Sequence, residues 1–480
     1  MTRWEAELYH KFDLPFELYG KDFLIRSIDK WHRRELVIAS MDLVKPTSDY
    51  VSDSELRSHF ARLEAAPEWD LVVIDEAHHL TPPDAVEETL LFKLVASLRN
   101  HSRAMLLLTG TPHVGDSNRF RKLMKLARPD LTSQIDDPNA FDRAVREIMI
   151  RTRKDDVTDH AGNFLLKGIE SHLIKLQANE SYLQLERELD AFIGRSLDDD
   201  EFDVARSRQG LPISRKLLAS SVEAVEYSLR KRLDEVELRV RARRRGMCTG
   251  SSSLTVAEVE VARLRALLAR CEVAKQSDPK QPLMRAIYDE FVCSGHRKVL
   301  IFTEFRVTQR WVIRELQSLG ANVGYIHGEQ TEEQKRAAID QFEQDADVLV
   351  STDAGAEGFN IHSGCHIVVN FDLPWNPMNL EQRAGRVYRI GQRQRTIVLN
   401  ATVESDYSNY VLTRSRSRAK TIAAELRTLS PEFDDVYAER LFGRSLSINQ
   451  IKWLLHSAAG HSEIRDASRI DAAIGRARGH

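Results

Sequence analysis

A chain of 480 residues is long enough for two or three domains with cores of their own. Hydrophobic residues at 42% and charged residues at 29% describe a globular protein and exclude a disordered or fibrous one. The net charge of −3 gives no global pull toward nucleic acid, so any such binding has to come from local basic patches. Four scattered cysteines (Cys248, Cys271, Cys293, Cys365) form no CxxC pair and read as free thiols rather than a disulfide frame or zinc site. No apolar run reaches membrane-spanning length and the first ten residues are not a signal peptide, so a cytoplasmic protein with no membrane partner is expected.

In chain order, Trp4–Phe12 (WEAELYHKF) predicts a helix and Glu35–Ser40 (ELVIAS) a buried strand. Leu71–His78 (LVVIDEAH) is four apolar residues ending in two acids, the pattern of a buried parallel strand with chemistry at its carboxyl end. Ala104–Pro112 (AMLLLTGTP) repeats that design, a strand followed by a turn rich in Thr, Gly and Pro. Residues 158–285 lose the strand pattern and take helical spacing. Within them Lys231–Arg245 carries seven Lys/Arg against three acids, and a solvated helix face and a DNA contact are both open for it.

Lys298–Phe305 (KVLIFTEF) opens a second block of strands. Tyr325–Gly328 follows, then a helix from Thr331 whose Thr331/Gln334 pair predicts a capping box. Asp347–Asn360 (DVLVSTDAGAEGFN) is a strand, a hydroxyl pair and a glycine-spaced loop. After the apolar run His366–Phe371, Asn376 suits an N-cap and Pro377 the first helical position, predicting a helix from Met378 onward. On it Gln382, Arg386 and Arg389 fall at i, i+4 and i+7, one face suited to gathering the charge of a triphosphate. The plain alternative is a solvated basic face. Residues 413–480 read as a helical tail.

QRAGRVYRIGQ, DEAH, TGTP and STDAGAEG occur here in the order of superfamily-two helicases, and the RIGQ ending resembles the Swi/Snf-type DNA translocases. The resemblance implies an α/β fold: two RecA-like parallel-sheet lobes, the first (1–157) incomplete, the second 286–412, with the helical insertion 158–285 between them. It implies ATP and Mg²⁺ as cofactors. Asp75 would hold Mg²⁺ through water, Glu76 would polarise the attacking water, and Arg386 and Arg389 would be arginine fingers, completing the catalytic set. His78, Gly358 and Gln382 would join the two arginines in nucleotide binding, Thr109 and Thr111 would couple nucleotide state to the DNA side, and Ser351 and Thr352 would touch the nucleic-acid backbone. Double-stranded DNA is the implied partner.

One motif of the pattern has no counterpart. A phosphate cradle needs GxxxxGK[ST], and the one Gly-Lys pair, Gly20-Lys21, has Pro15 upstream and Asp22 after it. The expectation is therefore an amino-terminally truncated lobe, with a separate chain or a missing segment supplying the P-loop. A non-catalytic remnant that binds DNA or protein is the alternative.

Overall fold

The computed structural model describes residues 2–19, 35–45, 60, 67–81, 88–110, 112–113, 116–151, 157–198, 215–244, 254–292, 298–356, 358–361, 364–427, 434, 436–447 and 450. The chain divides into two compact units, residues 1–151 with 418–435, and residues 152–417 with 436–480. No helix among the described residues is long and apolar enough to cross a membrane.

Among the described residues the first unit holds two parallel strand pairs. Strands β1 (Glu17–Tyr19) and β2 (Val37–Ala39) form one. Strands β3 (Trp69–Ile74) and β4 (Ser102–Leu107) form the other, with Leu71 opposite Ala104 and Ile74 opposite Leu107. Helix Leu90–Asn100 starts where the Thr89 hydroxyl accepts the Phe92 amide, and helix Ser117–Ala127 where Asp116 accepts the amides of Asn118 and Arg119. One face of β3–β4 packs there, Ile74, Ala77, Leu80, Val95, Leu123 and Leu126 forming a core with Val72, Met105 and Leu107 alongside. The pleat turns alternate residues the other way. Leu71, Val73 and Leu106 on that opposite face are 55%, 44% and 47% exposed.

Among the described residues the second unit is built on an all-parallel sheet of seven strands in the order β11-β5-β10-β9-β6-β8-β7. These are β5 (Ile169–Gln177), β6 (Lys298–Phe302), β7 (Val323–Ile326), β8 (Val348–Ser351), β9 (Cys365–Asn370), β10 (Thr396–Glu404) and β11 (Arg444–Leu446). The central strands are apolar on both faces, as a sheet wrapped by helices on both sides requires. Val299, Ile301, Val348, Val350, Ile367 and Val369 enter one core, Leu300, Phe302, Leu349 and Val368 the other. The capping box on helix Glu332–Gln344 is formed as expected.

Two of these strands lie where helix was expected. β5 lies in the stretch expected to be helical and pairs with β10 along nine residues, Ile169↔Thr396 to Gln177↔Glu404. β11, in the expected helical tail, pairs with β5 at its other edge. Cooperative pairing with an already formed neighbour overrides the weak local pattern of IESHLIKLQ. The rest of the stretch is helical as expected, with Glu180–Asp198, Val222–Arg244 and Leu254–Lys275 packed around Leu185, Leu189, Val225, Leu229, Leu264 and Leu267. Three residues of its basic run pair with acids. Arg232 pairs with Glu260, Arg241 with Glu237, and Arg244 with Glu258.

Candidate functional site

At the carboxyl end of β3 the chain turns sharply through Asp75 and Glu76. Glu76 sits at φ 50°, ψ 45°, a left-handed conformation. A glutamate there costs about 1–3 kcal/mol and persists where surroundings impose it. Asp75 Oδ1 accepts the Glu76 amide at 2.9 Å and Oδ2 accepts the Trp4 indole N–H at 2.8 Å. The Ala77 amide donates to Leu108 O at 2.9 Å, tying this turn to the one that follows β4.

His78 joins the two turns through its side chain. Its Nδ1 lies 3.1 Å from Thr109 Oγ1 and 3.3 Å from Glu76 Oε2. Burial, then the neighbouring His79, lower its pKa from 6.5 to about 4. The ring is neutral at pH 7, so the Glu76 contact is not an ion pair. Asp75, Glu76, His78 and Thr109 thus converge at the carboxyl ends of adjacent parallel strands, where α/β sheets place ligands. Thr111 lies outside the described residues.

The sign of the His78 shift gives a pH prediction. A histidine kept neutral by folding contributes stability above its unfolded pKa, and loses it as pH falls from 6.5 through about 4. Allowing for partial exposure, about 2 kcal/mol disappears across that window. Urea melts at pH 7 and 4.5 should show His78→Gln losing less stability than the unaltered chain by roughly that amount. Equal losses would refute the assignment.

Sequence inspection missed His113, fully buried just past TGTP and stacked on Phe120 at 4.9 Å between ring centres. Its Nε2 lies 2.7 Å from Glu425 Oε2, and the Ser117 hydroxyl donates to Glu425 Oε1. Burial pushes the Glu425 carboxyl up, but the His113 and Ser117 hydrogen bonds outweigh it and hold the group below the usual range. A lone histidine after a turn and a glutamate 312 residues later carry no joint signal in a single sequence.

In the second unit the arginine stretch departs from expectation. Asn376 Oδ1 accepts the Met378 amide at 3.1 Å, although Pro377 rather than the expected Asn376 takes the N-cap position. The helix, however, is Met378–Ala384, and Arg386 and Arg389 lie in the turns after it, so they do not continue one helical face with Gln382. Gly385 weakens the helix there. The Arg386 carbonyl accepts Ile361 N at 2.9 Å, so no amide further along this helix is needed to satisfy it. Gln392 then anchors the turn, its buried Nε2 donating to Cys365 O at 2.7 Å. Arg386 is half-buried and Arg389 exposed.

Ser351 closes β8 and is fully buried, its hydroxyl donating to Thr352 O at 2.8 Å; Thr352 is buried as well. The loop after them passes very close to β7. A Cβ on Gly355 would come within 2.7 Å of the Ile326 and His327 backbone, and Gly358 takes φ 78°. Glycine is required at both positions, for approach at the first and backbone conformation at the second.

No group of three or more His, Cys, Asp or Glu among the described residues is placed to hold a metal ion. The exposed carboxylate of Asp75 fits a Mg²⁺ that arrives with phosphates and retains water, rather than a resident metal.

The SNF2-related domain family matches residues 19–201, and the helicase conserved C-terminal domain family matches residues 283–391. The uncharacterized ATP-dependent helicase YqhH of Bacillus subtilis (strain 168) is 26% identical over 494 residues, covering 98% of this chain and 75% of that protein. The RNA polymerase-associated protein RapA of Serratia proteamaculans (strain 568) is 26% identical over 416 residues, covering 81% of this chain and 40% of RapA. The chain thus spans well under half of RapA's length. Among solved structures, the Pyrococcus furiosus Hef helicase domain is similar with a TM-score of 0.48 at 16% identity, covering 86% of each chain. Parallel-sheet architecture and the two domain matches define a superfamily-two helicase-type enzyme. Within that class, the chain belongs to the Swi/Snf-type helicase family.

Proposed function

We propose that this protein is an ATP-driven translocase on double-stranded DNA. The convergence of Asp75, Glu76, His78 and Thr109 at the ends of β3 and β4 carries the reading. Asp75 contacts Mg²⁺ through water, Glu76 orients the attacking water, and neutral His78 relays the state of Glu76 to Thr109. Arg386 and Arg389 supply positive charge to the transferred phosphate, with Gln382 and Gly358 contributing to nucleotide contacts. Thr352 and the loop after it supply contacts to the phosphate backbone. Ser351 supports that loop from within.

The phosphate cradle is the part these residues do not supply, since GxxxxGK[ST] is absent from the 480 residues. A βα segment carrying it, on the same polypeptide or a separate chain, completes the site. The bare apolar face of Leu71, Val73 and Leu106 supports this, because it lies on the strands that present the acids and needs a helix to cover it.

The 480-residue chain by itself is therefore expected to bind a duplex without sequence preference, with affinity falling steeply in salt. It should show no DNA-stimulated ATP hydrolysis above background. Anisotropy titrations with unrelated duplexes and a coupled ATPase assay check both. Turnover by the purified chain that Glu76→Gln abolishes would overturn the need for an added cradle. Salt-insensitive or sequence-selective binding would overturn the backbone-contact reading.

A further inference from the structure

Arg383 is the arginine that the one-face pattern passes over. It is 2% exposed, over the Phe302 ring, and its donors are taken up within the second unit. Nε and Nη2 form a two-pronged pair with Asp353 at 2.6 and 2.9 Å. Nη1 donates to Asn370 Oδ1 at 3.2 Å and to Asp372 O at 3.0 Å. So engaged, the guanidinium is a strut rather than a ligand group.

What it spans gives it meaning. Asp353 immediately follows the Ser351-Thr352 pair, and Arg386 lies three residues beyond Arg383. The far end of the same loop is tied to the same turn, by Ile361 N donating to Arg386 O at 2.9 Å. Asp353 and Ile361 are therefore both clamped to the segment that carries the two candidate arginine fingers. Gly355, pressed on the backbone of β7, removes slack from the middle.

We propose that Arg383 is a positioning residue that makes the 352–361 loop and the 383–389 turn move as one body, so that nucleic-acid contact at the loop resets Arg386 and Arg389. The proposal rests on the nucleic-acid role of that loop. A lysine does not replace Arg383, because an ammonium lacks the planar fork that fixes two carboxylate oxygens at once.

The test is hydrogen exchange of the full chain with and without a saturating duplex of about 30 base pairs, resolved for peptides covering 352–361 and 384–392. In the unaltered chain duplex should slow exchange in both segments, by about tenfold. In Asp353→Asn, and independently in Arg383→Lys, the loop should still respond while the 384–392 response is lost. Asp353→Glu, which restores the charge, should recover part of it. A role in stability alone would change baseline exchange but leave the two responses linked. Thermal melts identify a variant that fails to fold, and the other variant then decides the outcome. A 384–392 response that persists in a folded variant overturns the proposal. So does a loop response without any 384–392 response in the unaltered chain. If the duplex leaves the 352–361 loop of the unaltered chain unchanged, the nucleic-acid reading of the loop falls, and the coupling falls with it.

Discussion

Replacing Arg386 or Arg389 with alanine is expected to lower ATP turnover by about a thousandfold or more in enzyme complemented with a P-loop segment, the scale of arginine-finger loss. The expected effect on duplex binding is small, because the contacts assigned to the backbone lie on the 352–361 loop. The structure sharpens this expectation. The two residues sit on turns held by Gln392 at one end and by the Ile361–Arg386 backbone bond at the other, so their side chains start from a fixed platform. A fixed platform suits preorganised charge, which stabilises a transition state without reorganising when it forms. Lysine at either position should recover little, since a compact ammonium cannot reproduce the fork. Steady-state turnover and duplex anisotropy, measured on each variant, check the split. Normal turnover in both alanine variants would reduce the stretch to a solvated basic surface. Loss of duplex binding in step with turnover would show that the arginines grip DNA rather than phosphate in transfer.

Where the sequence could be read, one physical feature made it legible. Buried parallel strands appear as short continuous apolar runs, and Val299–Phe302, Val348–Val350 and Ile367–Val369 stand out for that reason. The acids of LVVIDEAH were found by the same route, because a run that ends in charge marks a strand's carboxyl end. β5 broke the rule. Glu170, Ser171, His172 and Lys175 interrupt its apolar residues, and its place in the sheet comes from β10, which begins more than 200 residues later. The turn beyond helix Met378–Ala384 was equally hidden, since its Arg386 carbonyl is held by an amide donated by Ile361 from a different segment. Arg383 went unseen because periodicity selects residues that share a face, and a buried strut works by pointing elsewhere. Long-range partners are what a single sequence withholds, and these unread features are made of them.

Two leucines on parallel strands, Leu300 and Leu71, should give opposite results when replaced. Leu300 lies on β6, flanked by β8 and β9, and is fully buried among Phe302, Leu349 and Val368. Leu300→Ala removes buried methyl groups from a packed core and should cost about 2–5 kcal/mol. Leu71 lies on β3 with its side chain on the bare face. Leu71→Lys removes little packing there, so its cost should stay within about 0.5 kcal/mol, and it should reduce self-association by breaking an exposed apolar patch. Amide exchange should follow the same contrast, with strong protection across Val299–Phe302, Val348–Val350 and Ile367–Val369 and weak protection along β3 and β4. Denaturant melts, light scattering and exchange on the full chain measure the three effects. If Leu71→Lys destabilises as much as Leu300→Ala, then that face is covered in the protein by itself. A βα segment carrying the P-loop would then have no vacant apolar face to dock on, and the structural support for a cradle supplied from outside these residues would be gone.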